Sequence, residues 1–555
     1  MRNPSKIIID INENLETALK KLEKTQEKLL ICVNKKKFVG VINDGDIRRA
    51  VLKKAKLKDK IDKYVNKNAT VVTNQITESE ATKLINTKIM ILPVVDSKNN
   101  VRGFYSFKGK DADFSLLSQE ITVVGMGYVG LTLSAVLSEV GFKVIGFDNN
   151  ISTINALKRK KVPFYEKGLR KYLYQNTNKQ IFFVNKLKKN KSSIYVIAVG
   201  TPINSNKKPD LNNIKKAVKD VARNIEKNDL IILRSTLPVG TTRKTIIPIL
   251  EKYSKKRCGL DFSVSFAPER TAEGIALKEL KENPQIIGGF DEKSSEKTAN
   301  FFNYFTNSLV HVSSLEAAEF CKLIDNAYRD HRFAFINQFI KFSEKNNLNL
   351  KKIVNAVNYG YSRNDIPVPS PGVGGPCLTK DPHILSYNLE KNNIDSSLIK
   401  LSRTKNEIIV KDLFYKIKKN LKIIKKNKKN IKIFILGMSF KGSPETSDLR
   451  NSSSVDLIYK LKNFYKNIYV YDPLVKYNYE EIKKLKVKNA RINQGFQNAD
   501  LAIIMNNNRI FNDLNIFDCL NKMNKPSIFI DAWQIYDPLE IKQIKGITYL
   551  GVGND

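Results

Sequence analysis

"ITVVGMGYVGLTLSAVLSEVGFKVIGFDNN" (Ile121–Asn150) leaves this chain the fewest choices of fold. An apolar run meets three glycines spaced GxGxxG, then small and apolar residues over a helical length. A second apolar run follows and ends on an acid, Asp148. GxGxxG alone says little. Placed between a strand and a helix, with an acid about 20 residues on, it specifies a parallel βαβ unit. Gly125 is expected to make the tight turn. Gly127 lets the backbone approach a pyrophosphate, and Gly130 lets helix and strand pack closely. The helix N-terminus offers free N–H groups to phosphates. Asp148 at the second strand's end suits ribose hydroxyls, which favours NAD over NADP.

Further strands continue the pattern: "SIYVIAVGTP" (Ser193–Pro202), "DLIILRSTLPVGTT" (Asp229–Thr242) and "DFSVSFAPER" (Asp261–Arg270). In a doubly wound sheet the strand C-termini line the ligand crevice. Thr201, Ser235, Thr236, Glu269 and Glu273 are therefore expected to converge there. "SLEAAEFCKLIDNAYRDHRFAFINQFIKFSEKNN" (Ser314–Asn347) reads as one long helix. "NIKIFILGMSFKG" (Asn430–Gly442) opens a second α/β unit, continued by "NIYVYDP", "ADLAIIM" and "SIFIDAW".

The front of the chain repeats itself weakly. "LLICVNKKKFVGVINDGDIRRAV" (Leu29–Val51) reads as strand, turn, strand, helix, and "IMILPVVDSKNNVRGFYS" (Ile89–Ser106) repeats its strand part. Amphipathic stretches, "NLETALKKLEK" and "ESEATKLINTK", precede the two copies. This resembles a tandem CBS pair, a regulatory module that often binds adenine nucleotides. Asp46 stands where that family has a ribose-binding aspartate. Gly109 lies near the equivalent place in the second copy, and Asn43 replaces the usual Ser/Thr, so a purely structural or assembly role stands beside ligand binding. "KGKDADFSLLSQE" (Lys108–Glu120) reads as a linker.

The net charge of +40 invites a nucleic-acid reading. The lysines are instead spread along the whole chain beside abundant asparagine, a compositional bias. No nucleic-acid partner and no membrane partner are expected, although a basic field favours anionic substrates such as nucleotides. Five scattered cysteines (Cys32, Cys258, Cys321, Cys377, Cys519) form neither a disulfide framework nor a metal pair. With no secretory signal pattern, the expectation is a reducing, cytoplasmic setting without a metal.

Cys377 stands apart from the other four. It lies in "PGVGGPCLTKD" (Pro371–Asp381), after a glycine turn and ahead of Lys380 and Asp381. In order, GxGYVG, VGTP, STLPVGTT, PERTAEG, KLIDNAYR, GVGGPCLTKD and GMSFKG resemble the UDP-glucose/GDP-mannose dehydrogenase family, the nucleotide-sugar 6-dehydrogenases, from about Ile121 to the C-terminus. The resemblance implies an α/β protein. Two Rossmann-like doubly wound domains, joined by a long central helix, follow the small α+β CBS-like pair. The implied boundaries are 1–110, 120–312, 313–410 and 411–555.

The family oxidises a sugar C6 alcohol to a carboxylate with two NAD+ per product. By resemblance Cys377 is the nucleophile that carries a thiohemiacetal and then a thioester. Lys322 and Asn326, four apart on the long helix, stabilise the C6 oxyanion. Asp381 orders water, Glu269 and Glu273 are the paired glutamates, with Glu273 expected to aid thioester hydrolysis, and Thr236 holds water or cofactor. Tyr128 and Val129 complete the glycine motif for NAD, and Lys380 contacts the cofactor. Gly374 and Gly375 border the substrate, and Lys441 and Arg450 grip its nucleotide end. A homodimer or higher homo-oligomer is implied.

Three positions depart from the family. Thr153 replaces a common lysine, "FKGSPETSDLR" is longer than usual between lysine and arginine, and "DAWQIYDP" lacks a frequent arginine. For the sugar, "PER" with Arg270, the "PSPGVGGPC" lead-in and Arg363 resemble the UDP-N-acetylhexosamine branch, whereas Glu273 resembles the UDP-glucose branch. The expected substrate is UDP-N-acetylmannosamine or its gluco isomer, in surface-polysaccharide synthesis. Alternatives are a UDP-glucose 6-dehydrogenase, a non-catalytic nucleotide sensor and a two-electron hydroxyacid dehydrogenase.

Overall fold

The computed structural model describes residues 4–25, 29–52, 54–73, 91–106, 119–187, 192–476 and 480–554. They fall into two compact units, residues 1–113 and 114–555. In the first unit, β1 (Ile8–Asp10) runs parallel to β2 (Leu29–Asn34), and β2 turns back on β3 (Lys37–Asn43). β4 (Val72–Thr73), β5 (Ile91–Val95) and β6 (Val101–Ser106) repeat that parallel-then-antiparallel pattern. The helix Leu15–Thr25 buries Leu15, Ala18 and Leu22, the three-and-four spacing of one helical face. The helix Asp44–Leu52 is opened by a reciprocal cap. Asn43 Oδ1 accepts the Asp46 N–H at 2.8 Å, and Asp46 Oδ2 accepts the Asn43 N–H at 3.0 Å. The second copy's helical stretch (78–88), Gly109 and most of the 108–120 linker lie outside the described residues.

The second unit holds two large sheets. β7 (Glu120–Val124), β8 (Lys143–Phe147), β9 (Ile181–Val184), β10 (Ser192–Ile197), β11 (Leu230–Leu233) and β12 (Ser263–Phe266) lie in the order β9-β8-β7-β10-β11-β12. β13 (Gln285–Gly289) adds antiparallel to β12, and β14 (Leu309–His311) parallel to β13. The C-terminal sheet is all parallel. β15 (Lys432–Leu436), β16 (Asn467–Tyr471), β17 (Lys488–Asn489), β18 (Leu501–Ile504), β19 (Ser527–Asp531) and β20 (Ile547–Gly551) run β17-β16-β15-β18-β19-β20. Renumbered within itself, each six-strand set reads 3-2-1-4-5-6, the doubly wound order with its crevice where the order reverses. The strands are apolar on both faces because helices cover both sides. Ile121, Val123 and Val124 in β7, and Ile433, Ile435 and Leu436 in β15, are all at most 1% exposed.

Helix Leu315–Asn337 connects the two sheets, capped by Ser314, whose hydroxyl accepts the Ala317 N–H at 3.1 Å. The sequence pattern predicts one helix running to Asn347. It stops after Asn337, and a short helix, Ile340–Lys345, follows. The break coincides with a buried asparagine drawn sideways. Asn337 Nδ2 reaches Ser370 and Asn406, and its Oδ1 accepts the Ser370 N–H at 3.1 Å. Among the described residues no helix is long and apolar enough to cross a membrane.

Candidate active site

The glycine turn after β7 has the shape that a pyrophosphate needs. Gly125 has φ +97° and leaves no room for a side chain, since a Cβ would come 2.9 Å from the Ala198 carbonyl. A Cβ on Gly130 would sit 1.8 Å from the Gly125 carbonyl oxygen, so only glycine allows the helix Tyr128–Glu139 to lie this close. Gly127 differs: a Cβ there meets nothing within 4 Å. Its bare face is turned to open space, beside the first-turn N–H groups of Tyr128 and Val129. Asp148 follows directly on β8, next to this turn. Its oxygens accept the Met126 N–H at 2.8 Å and the Asn150 N–H at 2.9 Å, which leaves acceptor capacity for two ribose hydroxyls. These residues fit NAD.

Tyr128 points elsewhere. Its hydroxyl donates to Glu166 and accepts the Gly274 N–H at 3.0 Å, and its ring packs tilted at 44° against Phe164, centroids 4.8 Å apart. Thr201, in the loop after β10, gives its hydroxyl to the Thr236 carbonyl at 2.6 Å, and Ser235 reaches the Ile197 carbonyl at 3.4 Å. The strand-end loops are thus tied to one another. Thr201, Lys380 and Arg450 line a cleft of about 1030 Å³, together with Pro376 and Thr379 on either side of Cys377. A second cleft, about 790 Å³, is lined by Gly274 and Gly442, which adjoin Glu273 and Lys441, and by Tyr165, Lys351, Asn507 and Trp533.

Of the five cysteines Cys377 alone is exposed; Cys32, Cys258 and Cys519 are buried and Cys321 is half-buried. Burial pushes the Cys32 and Cys258 thiols up to about 12, out of useful reach. Cys377 itself is exposed, and its neighbours Pro376 and Thr379 line the larger cleft. Protein around it still raises the thiol, first by desolvation and next through the Asp381 charge, while Lys322 and Lys380 oppose the rise. The backbone carbonyl of Cys377 accepts the N–H groups of Lys380 and Asp381 at 3.1 and 2.9 Å, so the cysteine closes the turn that opens helix Asp381–Lys391. Gly374 and Gly375 face the C-terminal sheet. A Cβ on Gly374 would come 2.4 Å from the Asn451 carbonyl, and one on Gly375 (φ +91°) 2.7 Å from the Phe440 ring. Their lack of side chains brings the cysteine loop onto the second sheet's loops.

The central helix presents Lys322 and Asn326 on one face. Lys322 is 8% exposed and its ammonium donates to the Glu269 carbonyl. Asn326 Nδ2 donates to Asp381 Oδ2 at 2.6 Å, and Lys380 pairs with the other Asp381 oxygen. Asp381 is fully buried.

Glu269 and Glu273, four residues apart, have opposite surroundings. Glu269 pairs with buried Arg234, which also donates to Gln285 at 2.9 Å, and accepts the Arg270 and Thr271 N–H groups at 2.8 Å each. Burial works to raise its carboxyl, but Arg234 and the N–H donors win and hold it below its usual range. Breaking such a buried pair costs about 3–5 kcal/mol. Glu273 accepts Thr446 Oγ1 at 3.0 Å and Arg450 at 3.2 Å. Desolvation, reinforced by the Asp448 charge, pushes it up to about 7. Lys441 donates to the Glu273 carbonyl at 2.8 Å. Arg450 also forks onto Asp448. Arg270 lies 3.6 Å from Asp325 of the central helix. Arg363 is exposed, 4.7 Å over the Tyr361 ring, and lines neither cleft.

Three residues escaped the sequence reading. Arg234 is a charge inside the apolar run "LIILRS", a visible flag that a buried partner was needed. Glu166, buried, gathers the Tyr128 hydroxyl and the Gly274 N–H (2.7 Å). Glu319, one turn before Lys322, accepts the Gly240 N–H, the Thr242 N–H and the Thr242 hydroxyl at 2.5, 2.8 and 2.6 Å. It pins the loop beyond Thr236, and burial pushes it up to about 7.

Comparison with known proteins agrees with this architecture. Models of the UDP-glucose/GDP-mannose dehydrogenase family match as the NAD binding domain over residues 119–306, the central domain over 316–408 and the UDP binding domain over 434–538. A CBS domain model matches residues 2–53. A UDP-N-acetyl-D-mannosamine dehydrogenase of Methanocaldococcus jannaschii is 32% identical over 70% of this chain and 86% of its own. One of Campylobacter jejuni is 30% identical over 70% of this chain and 94% of its own. The solved UDP-D-ManNAc dehydrogenase of Pyrococcus horikoshii superposes with a TM-score of 0.69 at 28% identity, covering 78% of this chain and 99% of that one.

Proposed function

The chain belongs to the UDP-glucose/GDP-mannose dehydrogenase family, and from that premise we propose that it oxidises UDP-N-acetyl-D-mannosamine to the uronic acid through a Cys377 thioester. It is an NAD-dependent nucleotide-sugar dehydrogenase with a UDP-sugar substrate. NAD+, when bound, accepts the hydride lost in each oxidation step. Lys322 and Asn326 stabilise the oxyanion at C6 as the alcohol becomes an aldehyde. The Cys377 thiolate adds to the aldehyde, giving a thiohemiacetal. Loss of a hydride and a proton gives a thioester, and water releases the carboxylate and the thiol. Asp381 holds that water and Glu273 takes its proton. Lys380 and Asp148 face the cofactor, and Arg450, Lys441 and Arg270 the nucleotide sugar.

The observation that carries the sugar assignment is the shared name of the relatives at 30–32% identity. The test is a panel of UDP-N-acetylmannosamine, UDP-N-acetylglucosamine and UDP-glucose read by NADH absorbance. Two NADH per UDP-N-acetylmannosamine, with that sugar preferred, is expected. Preference for UDP-glucose would overturn the sugar, and one NADH per sugar would overturn the thioester route. The product's place is in surface-polysaccharide synthesis. Exposed Tyr328, Phe335 and Phe342 around the central helix support a homo-oligomer. For the N-terminal unit an adenine nucleotide is the proposed ligand, with Asp46 at its ribose.

Glu273 gives the activity a pH signature. Raised to about 7, it is protonated below that pH and cannot accept a proton. Hydrolysis-limited kcat should therefore fall about tenfold per pH unit below about 7. Glu273→Gln should lower kcat and flatten that limb. An unchanged acid limb in the glutamine variant would remove Glu273 from the role of base.

A further inference from the structure

The cysteine loop is held from a side that the family motifs do not mark. Helix Ser397–Asn420 carries Arg403, whose side chain is 2% exposed. Arg403 Nη1 donates to the Leu378 carbonyl at 2.9 Å and to Asp330 Oδ1 at 2.7 Å, and Nη2 donates to the Val373 carbonyl at 3.2 Å. One guanidinium therefore grips the loop four residues before Cys377 and again one residue after it. Asp330 lies on the central helix, eight residues beyond Lys322 and four beyond Asn326, so the three continue along one side of that helix. Asn406 Nδ2 reinforces the anchor, reaching the Asp330 carbonyl and Oδ1 at 2.8 Å each. Thus the helix that presents Lys322 and Asn326 also fixes, through Asp330 and Arg403, where the cysteine stands.

We propose that Arg403, anchored by Asp330, is a positioning residue for Cys377, setting the thiol's place for the second half of the oxidation. This rests on the reading of Cys377 as the nucleophile. The chemistry favours arginine specifically. A planar fork with five donors can serve two carbonyls and a carboxylate together, whereas a lysine ammonium is a single point charge. Two further ties lead toward the C-terminal sheet, where Asn451 Nδ2 donates to Thr379 Oγ1 at 2.7 Å and the Gly375 N–H reaches the Asn451 carbonyl at 3.4 Å, and at the loop's end Asp381 accepts Asn326 of the central helix. Arg403 ties it to the helix that carries the oxyanion groups. The first hydride transfer needs no thiol, so displacement of the loop should affect the two halves of the reaction unequally.

The experiment uses the full chain with UDP-N-acetyl-D-mannosamine and NAD+, comparing wild type with Arg403→Lys and Asp330→Asn. Rapid mixing separates the first NADH from the second, and hydroxylamine traps any aldehyde that escapes. In the variants, the first phase should stay within about twofold of wild type while steady-state kcat falls about tenfold to a hundredfold. The KM for the sugar should change little, and an aldehyde oxime absent from wild type should accumulate. Equal slowing of both phases would mean that Arg403 acts only through general stability, and wild-type rates in both phases would mean that it does not position the thiol. Either result overturns the proposal. Asp330→Asn, of the same size, gives the same readings if Arg403→Lys fails to fold. One NADH per sugar in wild type, or turnover by Cys377→Ala, would instead remove the nucleophile on which the proposal rests.

Discussion

Cys377→Ser should abolish steady-state turnover and leave the enzyme carrying its own product. Serine keeps the size and position of the nucleophile on the exposed turn before helix Asp381–Lys391. Its hydroxyl has a far higher pKa than a thiol and makes a poorer leaving group. The first oxidation needs no nucleophile from the chain, so an aldehyde should form. Slow attack by serine gives a hemiacetal, and loss of a second hydride gives an oxygen ester. That ester hydrolyses more slowly than a thioester. Intact-protein mass spectrometry after one incubation with nucleotide sugar and NAD+ should show a covalent adduct on the serine variant and none on Cys377→Ala. Near-normal turnover by the alanine variant would falsify the role of Cys377.

The second large effect belongs to Lys322. Its ammonium lies buried against the Glu269 carbonyl and, with Lys380, opposes the rise of the Cys377 thiol. Methionine keeps an unbranched, adaptable stem and removes the charge. Two consequences should appear together. The C6 oxyanion loses its main cationic partner, so kcat should fall about 10²–10³-fold, the scale seen when one oxyanion donor is removed. The thiolate loses a favourable charge, so the thiol rises further and alkylation of Cys377 by iodoacetamide should shift to higher pH. The sign follows from the charge: a nearby cation favours the ionised form, and its removal disfavours it. A variant with kcat within threefold of wild type, or an alkylation profile that stays in place, contradicts this assignment.

Much of the architecture was legible because its signals are local. The glycine turn, apolar strands, helix caps and loop residues each act over a few positions. GxGxxG between strand and helix therefore identified β7, its helix and β8 without tertiary information. The spacing of Lys322 and Asn326 likewise placed them on one helical face. The end of the central helix was not legible, since its apolar periodicity runs past Asn337. The competing bonds come from Ser370 and Asn406, far along the chain. By resemblance Gly374 and Gly375 border the substrate. The neighbours their missing side chains admit are Asn451 and Phe440.

What the sequence determined by itself was the set of chemical groups and the two doubly wound sheets that carry them. Tertiary structure alone decided what each group is. Glu269 and Glu273 are the same residue four positions apart in one loop. Glu269 meets Arg234, 35 residues back, and is held below the ordinary carboxylate range. Glu273 meets Thr446 and Arg450, 173 and 177 residues ahead, beside the like charge of Asp448, and is pushed up to about 7. A carboxyl's proton affinity depends on the charges, donors and water within a few ångströms. Folding supplies those neighbours from distant stretches of chain, so no local pattern could have given the two glutamates their different proton affinities.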